Sequence, residues 1–176
     1  KTLYLRDSRN RNTSALFAVD LASGKQGLIG ASDKADVSGV ITHPTTGVVE
    51  AYGVNYLKEE WVPVSAQLKE EIALLDAQLK GKWKVVSQSL DNRFWTLEVD
   101  RVSEPITFYL YDRREKKFTR LFTHRPELEG RALAPMGTLE IRSRDGLLLT
   151  AYLSLPPGAD RDNDGKPERP LPMVLF

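Results

Sequence analysis

Ala15-Leu16-Phe17-Ala18-Val19-Asp20, a short turn, and Gln26-Gly27-Leu28-Ile29 set the pattern that decides the fold. The pattern returns 92 residues later. There Thr107-Phe108-Tyr109-Leu110-Tyr111-Asp112 is followed by a charged turn and Phe118-Thr119-Arg120-Leu121-Phe122. Each copy is a strand closing on Asp, a tight turn, and a second strand. Short strands joined by polar turns form an antiparallel meander. The offset is about two periods of the forty-odd residues that make a propeller blade. Together with the spacing of the other strands, it favours four-stranded blades over a sandwich.

Working outward, Thr2 to Arg6, Val37 to Thr42, Val48 to Tyr56 and Trp61 to Val64 read as further strands. Gly53 is a candidate bulge in the third of these. Trp83 to Ser89 and Phe94 to Val99 read as strands too, and Pro126 to Leu133 as a connector with a helical turn. One segment breaks the β pattern. Leu68, Ile72, Leu75 and Leu79 recur at three and four residues, and Leu74 widens the stripe. Ser65 can cap the start, Glu70 and Glu71 fall in the early turns, Lys80 in the last, and Gly81 stops it. This predicts an amphipathic helix over about residues 66–80, packed on its own domain.

Composition sets limits. The 176 residues carry 25 basic and 24 acidic side chains, a net charge of +1, which points to neither nucleic acid nor an anionic membrane. There is no cysteine, so thiol nucleophiles, disulfides and cysteine-bound metals are excluded. That composition suits cytoplasm and periplasm alike. No apolar run reaches the length of a membrane span.

Catalytic motifs are missing from the 176 residues. No Gly-x-Ser-x-Gly and no glycine-rich phosphate loop occurs. His43 and His124 sit beside turns without metal-ligand spacing and read as surface or rim residues. The aromatic residues fall at core-like strand positions. Asp160-Arg161-Asp162-Asn163-Asp164-Gly165 does resemble a calcium loop, with carboxylates at alternate positions and a turn-forming Gly. Asp160, Asp162 and Asp164 are therefore candidate calcium ligands. The twelfth position holds Leu171 where a bidentate Glu is needed, although Glu168 offers another carboxylate. The structural alternative is an acidic turn. No cofactor is expected.

The last forty-odd residues carry the remaining signal. Ala134-Pro135-Met136 leads to Thr138-Leu139-Glu140-Ile141-Arg142-Ser143-Arg144, then Asp145-Gly146, then Leu147 to Leu155. After a polar loop, Leu171-Pro172-Met173-Val174-Leu175-Phe176 reads as a strand entering a core, and predicts that the chain is a piece of a longer protein. This order resembles the propeller-to-hydrolase junction of the prolyl oligopeptidase family of serine peptidases. It is nearest to the dipeptidyl aminopeptidase/acylaminoacyl peptidase branch. Upstream, Asp36-Val37 through His43-Pro44-Thr45-Thr46-Gly47, the Gln67 to Leu79 helix and Phe108 to Asp112 resemble the last blades of that branch.

The resemblance implies a mainly β fold. Residues 1–133 would be the C-terminal blades of a partial β-propeller with one inserted helix, and 134–176 the first strands of an α/β-hydrolase domain. It implies a parent enzyme with a Ser-His-Asp triad that acts on short peptides, releasing N-terminal residues or dipeptides, while the propeller filters access. The triad and the His-Gly-Gly-Pro-like oxyanion loop match no position in these residues, so no catalytic residue can be assigned. Peptides are the implied partners of the parent, and self-association through unpaired strand edges is expected. The alternative is a non-catalytic propeller that binds protein partners.

Overall fold

The structure is a computed structural model that describes every residue except Asn163 and Phe176. Among the described residues, twelve strands and one α-helix make it mainly β, arranged as antiparallel propeller-like sheets. In chain order the first sheet is β1 (Thr2–Asp7), β2 (Ala15–Asp20) and β3 (Gln26–Gly30). The second is β4 (Val37–Thr42), β5 (Val49–Asn55) and β6 (Glu59–Pro63). Helix α1 (Ala66–Leu79) follows, then a four-stranded sheet of β7 (Lys82–Gln88), β8 (Phe94–Asp100), β9 (Thr107–Asp112) and β10 (Lys117–Thr123). A separate hairpin pairs β11 (Met136–Arg142) with β12 (Leu148–Ser154).

Every sheet is a meander in sequence order, so both copies of the repeated motif fall on adjacent antiparallel strands. Among the described residues, only the third sheet has four strands. In the second, α1 follows where the repeat would put a fourth.

The helix forms for the reasons its sequence gives. Ser65 stays extended and its hydroxyl accepts from the Leu68 N–H, satisfying one of the free donors of the first turn. Leu68, Ile72, Leu75 and Leu79 are buried in one core with Trp83, Trp95, Leu97, Val99 and Tyr111 of the third sheet and Ile41 and Ala51 of the second. Each fully buried Leu contributes about 1.5–3 kcal/mol from the apolar surface it withdraws from water. A smaller core of Leu16, Val37 and Val49 joins the first sheet to the second, and Arg6 stitches that seam by donating to the Val37 and Ser38 carbonyls at 2.9 and 3.1 Å.

Three details differ from the sequence reading. Lys80, rather than Gly81, takes the left-handed position that ends α1, with φ 46°. Gly81 is required for space: a Cβ there would lie 2.7 Å from the Asp100 carbonyl oxygen. Gly53 is not the bulge. The register slips at Ser38 on β4, where Gly53 leaves room for the extra residue, and on β5 itself at Glu50. Finally, residues 171–175 form no strand. A strand needs a neighbour to accept its backbone hydrogen bonds, and none is paired with this run among the described residues. Its expected last residue, Phe176, lies outside the described residues.

Candidate functional site

The candidate calcium ligands do converge. Oxygen atoms of Asp160, Asp162 and Asp164 lie within 4.8 Å of one another, with Asp160 half-buried and the other two exposed. The loop gathers them by backbone capping. Both Asp160 oxygens accept, one from the Asp164 N–H and one from the Gly165 N–H, each at 3.0 Å. Asp164 accepts from the Lys166 N–H at 2.8 Å. Gly165, at φ 79°, supplies the left-handed turn that folds the loop back. Glu168 stands outside the cluster and faces Arg161 Nε at 3.8 Å. Asn163, in the same loop, lies outside the described residues. What the arrangement offers a hard cation is three carboxylates on one side, short of the six to eight oxygens calcium takes.

The two histidines hold no such cluster. His43 Nδ1 faces the Thr45 and Thr46 N–H groups at 3.3 and 3.4 Å, which makes the imidazole the organiser of its own turn. His124 is exposed, and its backbone N–H, just past β10, donates to the Ile106 carbonyl just before β9. Two of the three tryptophans, Trp83 and Trp95, are buried as packing residues.

Two polar arrangements escaped the sequence reading. The first is Glu71, which is buried on α1 beneath the β9–β10 turn. Arg113 clamps both of its oxygens, with Nε at 3.0 Å from each. Arg113 also donates to the Asn92 carbonyl at 2.9 Å and stacks over Trp95 at 4.2 Å. Burial alone would raise the Glu71 pKa, but the Arg113 hydrogen bonds and charge, with the Lys116 charge, outweigh it and hold the carboxyl below its ordinary range. Tyr111 lies beside this carboxylate. Burial and the Glu71 charge push its phenol above the usual value, and its buried oxygen makes no well-formed hydrogen bond.

The second arrangement joins the sheets to the hairpin. Tyr56, just past β5, donates its phenol to Glu140 of β11 at 2.5 Å. That hydrogen bond raises the phenol pKa above its usual value. The Lys34 ammonium lies over the Tyr56 ring at 5.1 Å. Two grooves of about 450 Å³ each open beside the start of the hairpin, sharing Leu57, Lys58 and Thr138. One is also lined by Lys34, the other by Met136, Arg101 and Tyr152. Nothing in the sequence pattern pairs residues 84 positions apart, so this bridge was not legible there.

No helix among the described residues is long and apolar enough to cross a membrane. No family model matches the chain. Over all 176 residues the chain is 44% identical to dipeptidyl aminopeptidase BIII of Pseudoxanthomonas mexicana, and it covers 26% of that protein. Over 129 residues it is 32% identical to dipeptidyl peptidase family member 6 of Caenorhabditis elegans, which is 73% of this chain and 17% of that protein. The chain thus spans about a quarter or less of the length of these relatives.

Proposed function

We propose that this chain, a homologue of a dipeptidyl aminopeptidase along its whole length, belongs to a prolyl oligopeptidase-like serine peptidase. Residues 1–133 are its last propeller blades and residues 134–176 the opening strands of its α/β-hydrolase domain. The observation that carries the reading is the 44% identity over all 176 residues. The meander sheets with one inserted helix support it independently.

In that setting the work divides physically. A serine outside these residues attacks the scissile carbonyl, a histidine takes its proton, and an aspartate orients the histidine. Backbone N–H groups of an oxyanion loop stabilise the tetrahedral intermediate. This chain supplies none of those groups. Its sheets restrict entry, so that short peptides reach the serine and folded proteins do not, and the parent releases N-terminal residues or dipeptides.

The test compares the chain with a longer protein that contains it. The longer protein hydrolyses dipeptidyl or aminoacyl chromogenic substrates and is labelled by a fluorophosphonate at a serine outside residues 1–176, whereas the chain does neither. Labelling of a serine within the chain overturns the reading. So does a longer protein that neither hydrolyses nor labels, which would favour a binding propeller.

A further inference from the structure

We propose that Tyr56 and Glu140 form a latch that seats the β11–β12 hairpin on the second sheet, and that releasing it lets the hairpin swing away as a unit. Among the described residues, the side-chain hydrogen bonds and ion pairs that join residues 1–123 to residues 136–175 are all made by the Tyr56 phenol, to Glu140 and to the Thr150 hydroxyl paired opposite it. The hairpin holds itself together. Its seven paired positions run from Met136↔Ser154 to Arg142↔Leu148, and it shares no strand with the other sheets, so its ladder moves as one piece.

The pivot is visible in the connection. Arg120 and the Thr123 hydroxyl both bind the Glu129 carboxylate, which ties the chain to β10 as far as residue 129. From Gly130 to Pro135 there is no regular structure. Gly130 stands at φ 73° with open space around it, so the backbone can turn there.

Strand alternation decides which face is held. Thr138, Glu140, Thr150 and Tyr152 share the face that meets the sheets, and Leu139, Ile141 and Leu149 share the other. Tyr56 therefore grips the hairpin at the centre of its polar face. The two grooves share Leu57, Lys58 and Thr138, so the departure of the hairpin opens both at once. A phenol donating to a carboxylate is a strong bond that one partner's removal abolishes. This device is independent of the peptidase reading, because it concerns only contacts within the chain.

The chain has no cysteine, so two can be introduced as unique labelling sites. Glu115 on the β9–β10 turn and Arg144 at the hairpin tip are both exposed. With nitroxides on Glu115→Cys and Arg144→Cys, double electron–electron resonance gives one narrow distance. Tyr56→Phe and Glu140→Ala each lose it and give a broad distribution, whereas Glu140→Gln, which keeps an acceptor oxygen, retains it. A distribution unchanged by Tyr56→Phe and Glu140→Ala overturns the latch, as does a broad distribution in the labelled chain that keeps Tyr56 and Glu140.

Discussion

Arg113 closes its guanidinium over both carboxylate oxygens of Glu71, and so ties helix α1 to the turn between β9 and β10 across 42 residues of sequence. The pair is buried: the Glu71 side chain is 5% exposed and that of Arg113 17%. Breaking such a pair leaves a charge without its partner in a poor solvent, and costs about 3–5 kcal/mol. Glu71→Ala should destabilise the chain by that amount in urea unfolding. Glu71→Leu combined with Arg113→Met should recover most of the loss, because no unpaired charge remains. A single substitution that costs less than about 1 kcal/mol would show the clamp to be ornamental.

The same carboxylate sets a pH dependence. Its folded pKa is below the ordinary 4.5, the net result of burial opposed by Arg113 and Lys116. The stabilisation is therefore complete above that ordinary value and is lost as the pH falls through the lower, folded one. Asp112, lowered first by its Arg93 hydrogen bonds, acts in the same direction. The urea midpoint should hold steady from neutrality down to the ordinary carboxylate range and then fall. Glu71→Gln should flatten part of that fall, and an unchanged acid limb would locate the effect elsewhere.

The end of α1 separates two adjacent residues. Lys80 occupies a left-handed conformation that costs a residue with a Cβ about 1–2 kcal/mol, whereas Gly81 is confined by the Asp100 carbonyl. Lys80→Gly should be neutral or stabilising by up to about 1 kcal/mol, after the entropy a glycine loses on folding. Gly81→Ala should destabilise by about 1–3 kcal/mol through backbone displacement. Thermal unfolding of both variants distinguishes this from a simple glycine stop, for which the two effects would exchange.

These positions mark how far the sequence could be read. Local signals carried the elements. The Leu68, Ile72, Leu75 and Leu79 stripe, the Ser65 cap and the Asp-turn-strand motif all act within a few residues, and each lies where its pattern put it. What was missed depends on distant neighbours. Glu71 read as an early-turn acid because its partner Arg113 is 42 residues away, and Gly81 read as a stop because Asp100 comes near only in the folded sheet. The run at 171–175 shows the converse. Its apolar residues have a strand's composition, but composition provides no partner, and Met173, Val174 and Leu175 are exposed. In the acidic loop the alternating carboxylates named three residues that the fold does gather, but not how their oxygens are engaged.

That engagement leads to the last prediction. Both Asp160 oxygens accept backbone N–H groups, Asp164 caps Lys166, and only Asp162 and Asp164 face open solvent. Calcium binding also needs carbonyl, water or bidentate carboxylate oxygens to fill its shell, and Glu168 is turned toward Arg161. The loop is therefore held as a capped turn whether or not a cation is present. Calorimetric titration with calcium should give no heat below millimolar concentration. Asp160→Ala should speed amide exchange at Asp164 and Gly165 by removing their acceptors, with no change in the urea midpoint, since the loop is remote from both cores. Heat in the micromolar range, abolished by Asp160→Ala, would instead make the three carboxylates a metal site.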